Sequence, residues 1–403
     1  MATIDHELQQ RIRSHIERIL PELVELRHDL HAHPELGYEE QRTSGVVQDQ
    51  LSAAGVDFVA GLGGGTGVLG HLPGKADRAV GLRADMDALP ITEQTGCPWS
   101  SNTDGIMHAC GHDGHTTMLA GAARVLSALA ADSPLPQPVS FLFQPAEEGG
   151  AGALRMCEDG CLEGRVLGPA FKSMFGLHGW PDWPLGVVGS RPGAMLAASD
   201  RFEITVEGRG GHAAMPHTAR DPVYAASLIV TALQQVVARN VNPVEGAVIS
   251  VTSIEGGSGF NIIPGTVTMG GTLRALEAGA LEIARRRFTE VVQATAQAAG
   301  CGATIDYAHG YPVTRNDPDA FECFEAIARR TVGDDRVRPM EFPVMGGEDF
   351  SYYGQRVPAC FIVLGLLAPD VEAMPGLHHP GFDFNDDALA TGVELLCRLA
   401  LEA

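Results

Sequence analysis

The densest group of side chains that could bind a metal ion lies between Met107 and His115. This stretch reads MHACGHDGH and supplies Cys110, His112, Asp113 and His115 directly before a predicted helix. Its glycines would let the backbone wrap around a site. A purely structural role is the alternative, since cysteine is often buried and inert and histidine can cap a turn. The concentration of ligand types in so short a stretch favours a metal site.

Carboxylates and imidazoles also follow several predicted strands. In an open α/β sheet, binding groups collect in the loops at the carboxyl ends of the strands. Four short apolar runs predict such strands, and the residues that follow them are Asp85 and Asp87 after 79–84, Glu147 and Glu148 after 139–144, His178 after 172–177, and His378 and His379 after 361–366. Four strand ends therefore offer metal ligands in addition to the cysteine-containing stretch.

This mixture of ligand types does not select one metal. A thiolate is a soft ligand, imidazole suits several transition metals, and carboxylate extends the choice to harder ions. Because the ligands come from distant segments and form no closed cysteine-rich quartet, we expect a catalytic site with room for water. Of the adjacent Glu147 and Glu148, one could bind metal while the other acts as general base; a solvated acidic turn is the alternative.

The apolar periodicity predicts two kinds of fold along the chain. Helical spacing near 4–30, 43–54 and 115–131, together with the four apolar runs, favours an α/β fold with a mainly parallel sheet. The middle of the chain instead has the order βαββαβ, which is the ferredoxin-like α+β pattern. The predicted domains are a catalytic domain formed by 1–196 and 310–403, and an inserted domain formed by 197–309.

Length, charge and cysteine usage limit the class of protein. A chain of 403 residues exceeds the usual size of a single hydrophobic core, so two domains are expected. A net charge of -22 without a long basic run argues against nucleic acid as a partner. No apolar stretch reaches the roughly 18 residues of a membrane span, and the charged N-terminal segment is unlike a signal peptide. Eight scattered cysteines without a C-x-x-C pair fit reduced thiols, so we expect a soluble cytoplasmic protein without a membrane partner.

Eight ordered motifs resemble the M20 metallopeptidase superfamily, specifically its amidohydrolase branch of hippurate hydrolases, auxin-conjugate hydrolases and N-acyl-amino-acid deacylases. The motifs are RADMDALPI at 83–91, MHACGHDGHTTMLAGAA at 107–123, FQPAEEGGAGA at 143–153, GLHGWP at 176–181, GGHAAMPH at 210–217, NIIPG at 261–265, MGGEDFS at 345–351 and LHHPGFDFND at 377–386. The resemblance covers nearly the whole chain. It implies that the inserted domain is a lid or dimerisation domain and that the protein is a homodimer or homotetramer.

The resemblance also implies a binuclear centre of two divalent ions, drawn from zinc, manganese, cobalt and nickel. The implied metal ligands are Cys110, His112, Glu148, His178 and His378. Glu147 is implied to be the general base. The first histidine of the family motif is the ligand, which favours His378 over the alternative, His379.

The same resemblance assigns roles near the metal ligands and on the inserted domain. Asp87 matches an aspartate that orients the site, whereas Asp85 stands where many relatives have a histidine ligand, and its contact with metal stays open. His212 is implied to polarise the scissile carbonyl, from its own chain or from a partner subunit. Asn261 and Arg274 are implied to hold the substrate's carboxylate or oxyanion, a task that suits the planar guanidinium fork.

We therefore predict a metal-dependent amidohydrolase that cleaves the amide bond of small N-acyl amino acids, such as hippurate or N-acetyl amino acids. The products are a carboxylic acid and a free amino acid. A dipeptidase or aminopeptidase is the nearest alternative, and it would need a site for a free α-amino group. A non-catalytic metal-binding or peptide-binding protein is a third reading, which the presence of Glu147 beside a full ligand set disfavours.

Overall fold

The computed structural model describes residues 2–403, with the backbone alone described for 2–5, and its chain divides into two compact units. The first unit contains the chain up to Gly193 together with Arg315–Glu341 and Asp349–Ala403. The second contains Ala194–Thr314 and Phe342–Glu348. Each unit has its own hydrophobic core. The second unit thus includes the predicted insertion and a short segment that joins it from a distant part of the sequence.

The strands and helices alternate along much of the chain. Among residues 2–403 the strands are β1 (Asp57–Leu62), β2 (Gly67–Leu72), β3 (Ala79–Asp85), β4 (Val139–Gln144), β5 (Phe171–Pro184), β6 (Val188–Ser190), β7 (Gly193–Leu196), β8 (Ala198–Glu207), β9 (Gly211–His212), β10 (Ala247–Glu255), β11 (Ile262–Ile263), β12 (Thr266–Ala275), β13 (Gly302–Tyr311), β14 (Thr314–Asn316), β15 (Val337–Pro339) and β16 (Ala359–Leu367). The helices are α1 (Ala2–Ala32), α2 (Gln41–Ala53), α3 (His112–Asp132), α4 (Gly152–Asp159), α5 (Pro222–Asn240), α6 (Ala278–Ala298), α7 (Pro318–Val332), α8 (Ser351–Gly354) and α9 (Leu389–Glu402). Every helix in the described part of the chain is too short or too polar to cross a membrane.

The first unit is built on a sheet with the strand order β1-β2-β4-β3-β5-β16-β6-β15. Its centre is parallel, because β4, β3, β5 and β16 pair with one another in the same direction. All residues of β3 and β4 are buried, as expected for parallel strands covered on both faces. The predicted α/β class with a mainly parallel sheet is confirmed.

The second unit has an antiparallel sheet with the strand order β10-β12-β8-β13. Its elements follow one another as β8, α5, β10, β12, α6 and β13, so the predicted ferredoxin-like order is confirmed. Burial alternates along β8, where Phe202, Ile204 and Val206 are buried in the core that includes residues of both helices. One face of this sheet therefore packs against α5 and α6.

Helix α3 begins at His112, three residues before the predicted start at 115. Gly111 precedes it in the left-handed conformation, with φ at +85°. A Cβ atom at Gly114 would lie 2.6 Å from ring carbons of Phe384, so the absence of a side chain lets that ring pack against the first turn. The apolar spacing did not predict the first turn of α3, because the residues of that turn are mostly polar. They are nevertheless buried almost completely.

Strand β5 continues well past the predicted end at Leu177. His178 lies inside the strand, opposite Val363 of β16, and the pairing continues through Trp180 opposite Gly365. The prediction that His178 follows the strand is therefore wrong. The apolar run ends at Leu177, but backbone pairing with β16 continues through the residues that follow it.

A buried carboxylate joins three segments of the second unit. Asp200 accepts hydrogen bonds from Arg285 Nε and Nη2, each at 2.7 Å, from the Tyr307 hydroxyl at 2.7 Å and from the Gly310 amide at 3.0 Å. Burial alone would raise the pKa of Asp200, but the hydrogen bonds from Arg285 and Tyr307 outweigh it and hold the pKa below its ordinary value. Folding therefore favours the ionised carboxylate.

We predict that Asp200→Asn lowers the free energy of unfolding by about 1–3 kcal/mol, because an amide cannot accept all of these hydrogen bonds and leaves donors unpaired. Because the folded pKa is depressed, this contribution is present above the unfolded value of about 3.9 and is lost as pH falls through the folded pKa. Urea unfolding at pH 7 and near pH 3 measures both effects. Asp306→Asn at an exposed site of β13 is the control, and equal midpoints for both variants at pH 7 would contradict the prediction.

Candidate metal centre

His112, the first residue of α3, is oriented by the backbone. Its Nδ1 lies 2.8 Å from the carbonyl oxygen of Asp87, to which it donates. Its Nε2 is buried and has no hydrogen-bond partner. Metal-binding imidazoles are typically held in this way, with one nitrogen donating to the protein and the other directed at the ion. An Nε2 atom that makes no hydrogen bond and lies 3.6 Å from Asp85 Oδ2 fits a ligand position.

Cys110 and His178 lie beside His112. Cys110 Sγ is 3.5 Å from His178 Nε2, and His178 Nδ1 is 2.8 Å from the carbonyl oxygen of Gly179. The ligand atoms of Cys110, His112 and His178 all lie within 4.8 Å of one another, and the three side chains are buried. This first group combines one soft ligand with two imidazoles.

A second group shares the same cysteine. Ligand atoms of Cys110, Glu148 and His378 also lie within 4.8 Å of one another, with His378 Nε2 at 3.0 Å from Glu148 Oε1. His378 has φ at +64°, and its amide donates to the Ala109 carbonyl at 2.8 Å. His379 Nδ1 instead accepts from the Gly381 amide at 2.9 Å. The structure therefore places the first histidine of the pair, and not the second, against Glu148.

The electrostatic field of the site favours a cation. Burial opposes a charge on His112, but Asp85, Asp87 and Glu148 outweigh it and raise the pKa of this imidazole to about 10. Burial and then the charges of Glu148, Glu147 and Asp85 raise the pKa of the Cys110 thiol well above its ordinary value. Without a metal ion, protons have to offset the excess of negative charge, and a divalent cation would take their place. The residues present thus fit a bound metal.

Asp87 fixes the turn that carries the two adjacent glutamates. Its Oδ1 accepts from the Glu147 amide at 3.0 Å and its Oδ2 from the Glu148 amide at 2.8 Å. The preceding Ala146 has φ at +51°, which turns the chain sharply after β4. The ligand atoms of His112, Glu147 and Glu148 lie within 4.8 Å of one another. Both carboxylates therefore reach the centre, held by one aspartate.

Asp85 and His115 are already engaged by protein groups. Asp85 Oδ1 accepts from His115 Nδ1 at 2.7 Å, and Oδ2 accepts from Arg83 Nη1 at 2.5 Å. His115 Nε2 accepts from the Gly179 amide at 2.8 Å, so this imidazole is neutral with its proton on Nδ1. Asp85 thus lies at the site as a supporting carboxylate, although its ligand atom is also close to those of His112 and His115.

The sequence assigned no role to the buried network beneath Asp85. Arg83 donates to Gln144 at 2.8 Å and to Asp349 at 3.1 Å, and Gln144 donates to both oxygens of Asp349. The Asp349 amide lies 3.4 Å from Glu147 Oε1. The signal for this network was Arg83, a charged residue within the apolar run 79–84.

The remaining predicted residues lie in the second unit. Pairing of β9 with β11 brings His212 and Asn261 together, since the Ala213 amide donates to the Asn261 carbonyl at 2.9 Å. His212 and Asn261 are exposed, and His212 Nδ1 accepts from the Ala214 amide at 3.0 Å. Arg274 is half-buried in β12 and donates to the Met345 carbonyl at 2.8 Å. Their roles toward a substrate stay predictions.

Comparisons with known proteins find a matching family profile, similar sequences and similar crystal structures. The profile of peptidase family M20/M25/M40 matches residues 81–402. The chain is 39% identical over 383 residues to the IAA-amino acid hydrolase ILR1-like 5 of Arabidopsis thaliana, covering 94% of this chain and 86% of that one. It is 36% identical over 395 residues to the hippurate hydrolase of Campylobacter jejuni, covering 95% and 99%. The crystal structure of the Bacillus subtilis YXEP protein, described as a dinuclear metal binding peptidase from the M20 family, matches with a TM-score of 0.80 at 33% identity, covering 96% and 98%.

We predict that Asp87→Asn weakens metal binding by about 10-fold to 100-fold. In this variant an amide nitrogen replaces one of the two carboxylate oxygens that accept hydrogen bonds from the Glu147 and Glu148 amides. Competition against a chromophoric chelator measures the dissociation constant. Asp77→Asn, at an exposed position before β3, is the matched control and should bind metal like the wild type. Dissociation constants within twofold for the two variants would show that Asp87 does not support the centre.

Proposed function

This chain belongs to peptidase family M20/M25/M40, and we propose that it hydrolyses the amide bond of N-acyl amino acids. The family indicated by the eight motifs is confirmed. Two relatives over nearly the whole chain are named for hydrolysis of IAA-amino acid conjugates and of hippurate, both N-acyl amino acids. The chain is accordingly a hydrolase of linear amides, and its products are a carboxylic acid and an amino acid.

One observation carries the proposal: a single aspartate, Asp87, presents Glu147 and Glu148 side by side at a cluster of cysteine and histidine ligands. A site that only stored or transported metal would need the ligand Glu148 but not a second buried carboxylate next to it. Glu147 is buried and its Oε1 lies near the Asp349 amide. This arrangement suits a base that abstracts a proton from water and then releases it.

The centre binds divalent metal ions, and we propose two per chain. Two groups of side chains would hold them: Cys110 with His112 and His178, and Cys110 with Glu148 and His378. The ions would come from zinc, manganese, cobalt or nickel, which accept this mixture of sulfur, nitrogen and oxygen ligands. When bound they would polarise the amide carbonyl and make a water molecule acidic at neutral pH.

Proton transfer falls to Glu147. It would take a proton from the attacking water as the new carbon–oxygen bond forms, and would deliver that proton to the amine nitrogen as the carbon–nitrogen bond breaks. His212 would donate a hydrogen bond to the carbonyl oxygen as negative charge develops there. Asn261 and Arg274 would hold the carboxylate of the substrate. Whether His212 acts within its own chain or across a homodimer or homotetramer stays a prediction, as does a cytoplasmic location.

We predict that Glu147→Gln lowers kcat by about 100-fold to 10,000-fold while bound metal is retained, because the amide keeps the size of the side chain but cannot accept the proton. Steady-state kinetics and elemental analysis measure the two quantities. Glu158→Gln, which alters an exposed residue of α4, should leave both unchanged. Near-normal turnover in the Glu147 variant would reject its role as the base.

The substrate class is tested by offering hippurate, N-acetyl amino acids and free dipeptides to the same preparation. We expect turnover of at least one N-acyl amino acid that disappears with a chelator and returns when a divalent metal is added. Faster turnover of free dipeptides than of every N-acyl amino acid would assign the chain to the peptidases instead. Turnover that survives complete metal removal would reject the metal-dependent mechanism.

A further inference from the structure

A second group of metal-binding side chains lies elsewhere in the first unit. It consists of His31, Glu93, Cys97 and Asp383, and we name it the Cys97 cluster. His31 Nε2 is 3.4 Å from Glu93 Oε1, and Glu93 Oε1 is 3.9 Å from Cys97 Sγ. Ligand atoms of His31, Cys97 and Asp383 all lie within 4.8 Å of one another. None of these residues belongs to the centre described above.

These spacings are close to those around a tetrahedral ion. Bonds of about 2.0 Å to nitrogen or oxygen and about 2.3 Å to sulfur place two nitrogen or oxygen ligands roughly 3.3 Å apart, and an oxygen or nitrogen ligand roughly 3.5 Å from a sulfur ligand. The distance of 3.4 Å between Glu93 Oε1 and His31 Nε2 matches the first value, and the distance of 3.9 Å between Glu93 Oε1 and Cys97 Sγ is about 0.4 Å longer than the second, so a small movement of the Cys97 side chain would complete the geometry. The set has one thiolate, one imidazole and two carboxylates, which is a donor mixture that zinc or cobalt accepts.

The ligands have partners that orient them. His31 is fully buried and its Nδ1 lies 2.8 Å from Asp113 Oδ2, which directs Nε2 toward Glu93. A carboxylate behind the imidazole is the arrangement that commonly supports a metal-binding histidine. Asp383 Oδ1 accepts from Arg27 Nη1 at 2.7 Å and from Trp99 Nε1 at 3.3 Å.

The other two ligands are held in the same way by a single loop. The Ser101 amide donates to Glu93 Oε2 at 2.6 Å, while the Thr95 hydroxyl lies 3.4 Å and the Ser100 hydroxyl 3.5 Å from Cys97 Sγ. Each of the four ligands therefore has at least one polar partner outside the cluster. A site of this kind is ordered before an ion arrives, so less conformational freedom is lost on binding.

We propose that the Cys97 cluster binds a divalent transition-metal ion of the zinc type, separate from the catalytic centre. The ion would join three parts of the first unit, namely the end of α1, the loop 93–101 and the segment before α9. Its role would be structural, since four protein ligands leave no position for a reacting water. A proton shared between His31 Nε2 and Glu93 is the competing occupant, and it would hold the same two side chains together without metal.

The test counts metal ions. Protein freed of metal with a chelator is reloaded with Zn²⁺, freed of excess ion and measured by elemental analysis. We expect Cys97→Ser to bind one zinc ion per chain fewer than the wild type, and Glu93→Gln, which keeps the size of the side chain, to show the same loss. Cys323→Ser, which alters a half-buried cysteine of α7, is the matched control and should bind as many ions as the wild type.

Turnover of hippurate or an N-acetyl amino acid by Cys97→Ser should stay within a few-fold of the wild type, because the catalytic ligands are untouched. If Cys97→Ser loses one zinc ion but retains turnover, the site is separate from the catalytic centre. This conclusion does not depend on which substrate the enzyme prefers. Equal zinc content in the wild type and in both cluster variants would overturn the proposal. An equal loss in Cys323→Ser would also overturn it, because the loss would then not depend on the cluster.

Discussion

The candidate centre depends on the hydrogen bonds that converge on Asp87. Its carboxylate holds the amides of Glu147 and Glu148, and its carbonyl holds the Nδ1 of His112. One residue therefore sets both the turn after β4 and the orientation of the first imidazole of α3. Because these groups belong to a single buried residue, Asp87 fixes the positions of His112, Glu147 and Glu148 relative to one another. Catalytic geometry of this kind has to be fixed within a fraction of an ångström.

Around that residue the protein concentrates negative charge in a space with little water. Asp85, Glu147 and Glu148 lie near the Cys110 thiol, and the Arg83 guanidinium is shared between Asp85 and Asp349. Such an arrangement is costly for the empty protein, since buried carboxylates repel one another. It is well suited to a divalent cation, whose binding removes the repulsion and contributes to the stability of the folded state.

The sequence was informative where chemistry and hydrophobic patterning agreed. The apolar runs that form β3, β4 and β16 lead to the segments that carry Asp87, Glu148 and His378, so the sequence alone predicts that these residues lie at one edge of a sheet. The apolar pattern gives no indication of buried segments whose polar groups are paired by hydrogen bonds. The first turn of α3, the continuation of β5 beyond His178 and the engagement of Asp85 by His115 all depend on hydrogen bonds between segments far apart in sequence. Periodicity carries no information about such pairings.

The order of the strands also limits when the centre can form during synthesis. Strand β16 lies between β5 and β6, and His378 follows it near the end of the chain, whereas Cys110 and His112 lie in the first third. A ribosome adding about 5–20 residues per second releases the early ligands many seconds before the last one. The sheet stays incomplete and the histidine that faces Glu148 is missing throughout that interval. The complete ligand set therefore becomes available only late in synthesis, and an ion that met the chain earlier would find Cys110 and His112 without His378.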